Sequence, residues 1–206
     1  MESINVNHNT ERNMKKNIFK LMSLFCLLCG CVAFSACDDD EWGNDNAEKM
    51  NEFFFGFQDW GQLKNDVVFT VSQGSTVEIP VQFWCAGTRS FDAEAFYYVD
   101  SKLVLGTDYQ IVDANGSALQ PNGNGAFVMA WNLKNPDTTN NHRVQNIYLK
   151  ALNGAKGDVT VLTFDPKDVG DDGKIKISNT YTPNNITSQY EVHALTQNYK
   201  VKVTIK

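Results

Sequence analysis

The sequence predicts an all-β protein, an antiparallel sandwich of two packed sheets, and three observations predict it. Apolar and polar residues alternate with a period of two, first over residues 66–72 and again over 77–84, and this alternation is typical of strands with one face in a core. Turn-forming segments separate such stretches at intervals of roughly ten residues. No window of the folded part sustains apolar residues at the helical spacing i, i+3, i+4, i+7.

The predicted strands follow one another along most of the chain. They lie at residues 66–72, 77–84, 94–100, 109–112, 125–131, 144–152, 159–164, 190–194 and 199–205, with a further one around Ile175 and Ile177. Asn115-Gly116 predicts a turn and the polar stretch 132–142 a loop, and a turn or two of helix is expected only at residues 46–54. This many short strands favours an immunoglobulin-like sandwich with extra strands at the C-terminal end.

The first 36 residues have the pattern of an export signal. Lys15 and Lys16 precede an apolar run at residues 21–36, in the charged-then-apolar order of secreted proteins. The run is shorter than the roughly 20 residues that span a bilayer, and it ends in small residues. We therefore expect the leader to be removed, and Met14 is an alternative start to Met1.

The leader ends in Phe-Ser-Ala-Cys at residues 34–37, and an acidic run, residues 38–41, follows at once. This resembles the lipobox of bacterial lipoproteins, and the acidic run resembles the Bacteroides-type signal for surface display. The resemblance implies that Cys37 is lipidated and anchors the chain in the cell outer membrane, facing the exterior. Cys31 fits a second lipobox, but cleavage at Cys37 removes the whole apolar run.

Three segments follow from this interpretation: a leader at 1–36, an acidic tether at 37–51, and a single sandwich domain at 52–206. Of the five cysteines only Cys85 remains inside the domain, which excludes a disulfide framework and a multi-cysteine metal site. Cys85 follows a strand and is expected to be a buried thiol. The net charge of −6 and the lack of a basic patch exclude nucleic acid as a partner.

Three short motifs carry a second resemblance. Residues 67–72 and 76–81, followed downstream by Gly106-Thr107-Asp108-Tyr109, resemble the Calx-β type of sandwich and the Calx-β-like lipoproteins of unknown function on Bacteroides surfaces. The resemblance covers residues 66–165. It implies that the Gly-x-Asp-Tyr element enters a short strand near the middle of the domain.

Because Calx-β domains of ion exchangers bind calcium through clustered carboxylates, calcium is the one cofactor that the resemblance suggests. The candidate ligands are Asp165, Asp168, Asp171 and Asp172, since calcium takes six to eight oxygen ligands. Their spacing departs from the twelve-residue calcium loop, because Asn179 stands where the bidentate Glu belongs. A solvated turn without metal is the alternative, as Asp165-Pro166 and Asp172-Gly173 are ordinary turn residues.

No motif predicts catalysis. The domain holds two histidines, His142 in a polar stretch and His193 in an alternating one. Neither belongs to a recognisable metal spacing, and no Gly-x-Ser-x-Gly elbow provides a serine nucleophile. We expect a protein that is not an enzyme.

Aromatic residues are the feature that points to binding. Trp84 and Trp131 lie in strands and are expected in the core, whereas Trp60 and Tyr181 have polar, loop-like surroundings. Tyr98 neighbours Tyr97 in one strand, so one ring faces inward and the other outward. The candidate ligand-binding residues are Trp60, Tyr98 and Tyr181. Separately, Asp137-Thr138-Thr139 resembles the acceptor for O-glycans on exported Bacteroides proteins, with Thr138 as the modified residue.

Two functions stay open. The first is a surface binding module accessory to glycan capture, which would show an exposed aromatic platform flanked by Asn, Asp or Arg. The second is a structural or adhesive surface protein that contacts other proteins or host matrix. It would bury nearly all its aromatics and present a sheet edge or flat patch.

Overall fold

The computed structural model describes residues 51–58, 64–85, 88–134, 142–170 and 181–206. The strands in these ranges are β1 (Glu52–Phe57), β2 (Val68–Val71), β3 (Thr76–Trp84), β4 (Ala93–Ser101), β5 (Tyr109–Val112), β6 (Phe127–Trp131), β7 (His142–Ala151), β8 (Gly157–Leu162), β9 (Tyr181–Ile186), β10 (Glu191–Leu195) and β11 (Lys200–Ile205). The only described helix is one short 3-10 turn, Pro166–Asp168. The predicted all-β class is confirmed.

The strands form two sheets that pack as a sandwich. The six-stranded sheet has the order β5-β7-β3-β1-β10-β9, and the five-stranded sheet has the order β2-β11-β8-β4-β6. One core cluster joins their inner faces. Its largest fully buried side chains include Phe53, Phe55, Phe83, Tyr97, Phe127 and Trp131. Each such side chain contributes about 1.5–3 kcal/mol through burial.

The prediction that the strands pair antiparallel needs a correction at two places. β1 pairs parallel with β10, and β2 pairs parallel with β11, whereas the other described pairs are antiparallel. In both cases a strand from the first half of the domain lies beside one from the C-terminal end. Parallel neighbours need a long connection and not a hairpin, and nearly the whole domain lies between these partners. The C-terminal strands therefore enlarge and complete both sheets.

Two strands were absent from the prediction. The helical turn expected at 46–54 is wrong for residues 52–54, which belong to β1. Phe53 and Phe55 point into the core while Phe54 points to the opposite face, where other rings cover it. With both faces apolar the alternation disappears from the sequence. In β9, Pro183 and two asparagines conceal a strand at the sheet edge, where proline is tolerated.

Several predictions lie outside the described residues. These are the leader, Cys37 and the tether up to residue 50, together with Trp60, Thr138, Asp171, Asp172, Ile175 and Ile177. Across the described ranges, no helix is long and apolar enough to cross a bilayer.

Candidate functional site

Four rings form a continuous row on the outer face of the six-stranded sheet. They are Trp84 on β3, Phe54 on β1, His193 on β10 and Tyr181 on β9, and we call them the aromatic row. Phe54 is the register partner of Trp84 on one side and of His193 on the other. Four adjacent strands therefore each contribute one ring to the same face.

The rings contact one another through edges and tilted faces. The centroid of Phe54 lies 6.0 Å from Trp84 and 5.4 Å from Tyr181, both in T-shaped geometry. His193 lies 5.8 Å from Phe54 and 5.1 Å from Tyr181. These separations fall within the favourable range for aromatic pairs. Mutual packing thus fixes the orientation of the row.

Exposure differs along the row. Phe54 is 6% exposed and forms the floor, whereas Tyr181 is 40% exposed and Trp84 is half-buried. Tyr and Trp both combine a large apolar face with a polar group at the rim. The row therefore offers apolar ring surface with hydrogen-bonding groups, which suits the apolar faces and hydroxyls of a sugar.

A carboxylate borders the row. Glu191 Oε2 lies 3.2 Å from His193 Nε2. His193 is 7% exposed, and its Nδ1 has no hydrogen-bond partner among the described residues. Glu52 is the register partner of Glu191, and because partners in adjacent strands share a face, both acids stand on the outer face beside the rings.

Tyr98 lies elsewhere. It belongs to β4 in the five-stranded sheet and packs half-buried against a small cluster that includes Leu162 and Tyr199. Burial raises the pKa of its hydroxyl, and the nearby Asp165 and Asp168 add to this effect. Tyr97 faces the core, so the expected inward and outward pair is confirmed. Of the two predicted ligand-binding residues that the structure describes, Tyr98 and Tyr181, Tyr181 alone lies in the row.

The described part of the acidic turn is occupied by local contacts. Asp165 caps the 3-10 helix, because its Oδ1 accepts a hydrogen bond of 3.1 Å from the backbone N–H of Lys167, and its other oxygen pairs with the Lys167 ammonium. Asp168 is the last residue of that helix. No group of three or more His, Cys, Asp or Glu that could hold a metal occurs among the residues described.

Asp108 of the Gly-x-Asp-Tyr element has a structural role. Its carboxylate accepts hydrogen bonds from the backbone N–H of Val104 at 2.8 Å and of Ala155 at 2.7 Å. These bonds, with Val104 the larger influence, hold the pKa of Asp108 below its ordinary value. A Cβ added to Gly154 would lie 2.2 Å from Asp108 Oδ1. The turn that contains Asp108 leads directly into β5.

Cys85 and Trp131 are buried as predicted. Burial raises the pKa of the Cys85 thiol, against the opposing influence of Arg89 and Arg143. Trp131 stacks on Phe83 at 4.9 Å between centroids. Trp84, expected in the core, lies instead on the outer face because its position in β3 alternates with that of Phe83.

Two grooves lie away from the row. One of 510 Å³ follows the outer face of the five-stranded sheet beside Lys200 and Lys202. The other, of 540 Å³, lies at the edge between β6 and β7. Exposed valines flank the second groove, Val128 at 43% and Val144 at 52%.

Sequence reasoning missed three members of the row, since Trp84 was expected in the core. Phe54 was placed in the expected helical turn, and three consecutive phenylalanines gave no alternation to correct this. His193 had a usable signal in the sequence. It follows Val192 in an alternating stretch, so its side chain points to the face opposite that of Val192. Only the pairing of β1 with β10, which residue spacing cannot reveal, brings Phe54 and His193 together.

Comparison with known proteins yields little. No protein-family model matches the chain, and no curated protein matches it. Among solved structures, one that matches is the Pseudomonas fluorescens alkylpurine DNA glycosylase AlkC bound to DNA containing an abasic site analog, at 9% identity and a TM-score of 0.21. The match covers 68% of this chain and 29% of that chain. A similarity at this level carries no functional argument.

Proposed function

We propose that this protein is a non-catalytic binding module on the cell surface that captures a glycan on its aromatic row. The observation that carries the proposal is the alignment of Trp84, Phe54, His193 and Tyr181 on one sheet face, with Tyr181 40% exposed.

The row supports glycan binding through its rigidity. Phe54 contacts all three other members of the row, so a ligand meets rings that are already oriented. A binding surface that is ordered before the ligand arrives loses less conformational entropy on binding. Tyr and Trp rings also supply large contact area at little entropic cost.

The anchor is part of the same proposal. Cys37, at the end of the leader, carries the lipid, and the acidic segment behind it directs the chain to the exterior of the outer membrane. The acidic tether then holds the domain away from the membrane, since a run of like charges favours solvent. A protein at this location is suited to the capture of an extracellular polymer.

A structural or adhesive role is the second candidate, and one observation favours it. Val128 and Val144 are both exposed beside the groove at the β6 edge. Exposed β-branched residues at an open sheet edge are suited to contact with another protein chain.

A polysaccharide screen separates the two. The full-length chain in mild detergent is run through native gels that contain neutral plant, fungal and bacterial polysaccharides, beside the variant Trp84→Ala/Tyr181→Ala. Retardation of the wild-type chain by at least one polymer, lost in the variant, is the expected result. An unretarded wild-type chain across the panel would exclude glycan capture and leave the adhesive role.

A further inference from the structure

We propose that the aromatic row selects glycans by charge: it favours a chain that bears amino groups over its neutral counterpart, and disfavours one that bears acids. This inference rests on the proposed function and adds a specificity to it. The residues that set the specificity are Glu52 and Glu191, which border the row.

The register brings these two acids together. Glu52 and Glu191 are Cα partners in the parallel pair β1–β10, two residues before the partners Phe54 and His193. Two residues along a strand return the side chain to the same face, and neighbouring strands lie about 4.8 Å apart. Both carboxylates therefore stand on the outer face, one step from the rings.

Among the described residues, neither acid is paired with a strong base. Glu191 contacts His193 Nε2 and is itself 49% exposed at its side chain. No lysine or arginine of the described residues forms an ion pair with Glu52 or Glu191. Like charges directly opposite each other in neighbouring strands are destabilising. A cation bound between them would relieve this repulsion.

The rings favour the same sign of charge. The face of an aromatic ring carries negative electrostatic potential, which attracts an ammonium group placed above it. Trp84 and Tyr181 present such surfaces in the row that the acids border, and Tyr181 lies at the end of the row away from them, opposite Leu195. Rings and carboxylates together form a surface complementary to a polyol that carries amines, and they repel uronate or sulfate groups.

The contact with His193 holds one acid in place. His193 is packed between Phe54 and Tyr181, so its Nε2 is fixed in position and keeps the Glu191 carboxylate beside the rings. A fixed carboxylate loses less side-chain entropy when a cation binds than a freely rotating one does. Glu191 is thus the better ordered of the two acids.

Three cellulose derivatives with one backbone test this charge preference. The full-length chain is titrated in low salt with hydroxyethyl cellulose, its quaternary-ammonium derivative and carboxymethyl cellulose. We expect affinity for the cationic polymer to exceed that for the neutral one by about 3- to 30-fold, the combined effect of one exposed cation–π contact and one exposed ion pair. The anionic polymer should bind more weakly than the neutral one.

Variants separate a local effect from net charge. Glu52→Gln/Glu191→Gln should reduce the preference for the cationic polymer to the about 2- to 5-fold that a cation–π contact alone supplies, whereas Glu78→Gln/Asp100→Asn removes the same charge elsewhere and should keep the full preference. An equal reduction in both variants would overturn the inference, because total charge would then explain it. Equal wild-type affinity for all three polymers would overturn the inference and leave glycan binding standing. No binding even to the cationic polymer would likewise overturn the charge preference, whereas glycan capture itself is decided by the gel screen.

Discussion

Asp108 illustrates how one side chain can join distant parts of the chain. Its two oxygens accept backbone N–H groups from the segments before β5 and after β7. A carboxylate that accepts backbone hydrogen bonds is stabilised in its charged form. Gly154 leaves the space that this arrangement requires.

The pH dependence of stability should report on Asp108. Its pKa is lowered in the folded state, so its contribution is present above the ordinary value of about 3.9 and is lost as pH falls through the folded-state pKa. Asp108→Asn should lower the melting temperature at neutral pH, and its difference from wild type should shrink in acid. Melting curves between about pH 2 and 7 measure this. The control variant Asp100→Asn changes an exposed carboxylate. The same pH dependence of its melting temperature would contradict the assignment of this effect to Asp108.

Individual residues differed in how far the sequence could place them. Tyr181 was identified because polar neighbours surround it, and Cys85 and Trp131 because their strands are apolar. Phe54 and His193 were missed as site residues, since membership of the row depends on which strands are neighbours. Trp84 was placed in the core because a large apolar residue in a strand favours burial, but the face on which it lies depends on register.

At the level of elements, side chains replace a missing strand beside β4. β8 pairs with β4 only from Tyr98 onward, which leaves the backbone at Glu94 and Phe96 without a strand partner on that side. Asn184 accepts from the Phe96 N–H at 2.8 Å and donates to its carbonyl at 2.7 Å. Asn185 donates to the Glu94 carbonyl at 2.8 Å. β9 thereby joins the two sheets.

Removing the Asn184 amide should therefore loosen the sandwich. The amide makes a third bond to the Thr163 carbonyl at 2.8 Å, and its loss leaves part-buried backbone groups unsatisfied. We expect Asn184→Ala to lower the free energy of unfolding by about 2–4 kcal/mol, measured by urea denaturation. Asn185→Ala, which loses one exposed bond, should cost about 0.5–1.5 kcal/mol. If both variants lost the same free energy of unfolding, Asn184 would contribute no more to stability than an ordinary surface residue.

The elements themselves were predictable where one face is apolar. The alternating stretches that became β2, β3, β10 and β11 were found from the period of two. β1 was missed because both of its faces are covered, and β9 because Pro183 and two asparagines interrupt any apolar alternation. The order in which the strands pair could not be predicted from local sequence patterns, because the parallel pairs join residues that are distant in sequence.

For the whole molecule, the proposed lipid anchor at Cys37 is the feature that chemistry can test most simply. Wild-type chain should incorporate labelled palmitate and sediment with outer membranes, because several acyl chains on one cysteine give stable attachment. Cys37→Ser should lose both properties, and Cys31→Ser should keep both. Loss of the label in Cys31→Ser, with retention in Cys37→Ser, would move the lipid to the earlier cysteine.

The most direct test of glycan capture is calorimetric titration of a polysaccharide retained in the gel screen. Tyr181→Ala should weaken its binding by at least about 5-fold, the effect of losing a contact worth more than 1 kcal/mol. Tyr148→Ala is the matched control, because Tyr148 is half-buried on β7 and pairs with Glu78, far along β3 from Trp84. The affinity of Tyr148→Ala should equal that of wild type. Equal affinities of wild type and Tyr181→Ala would contradict the assignment of the aromatic row as the binding site.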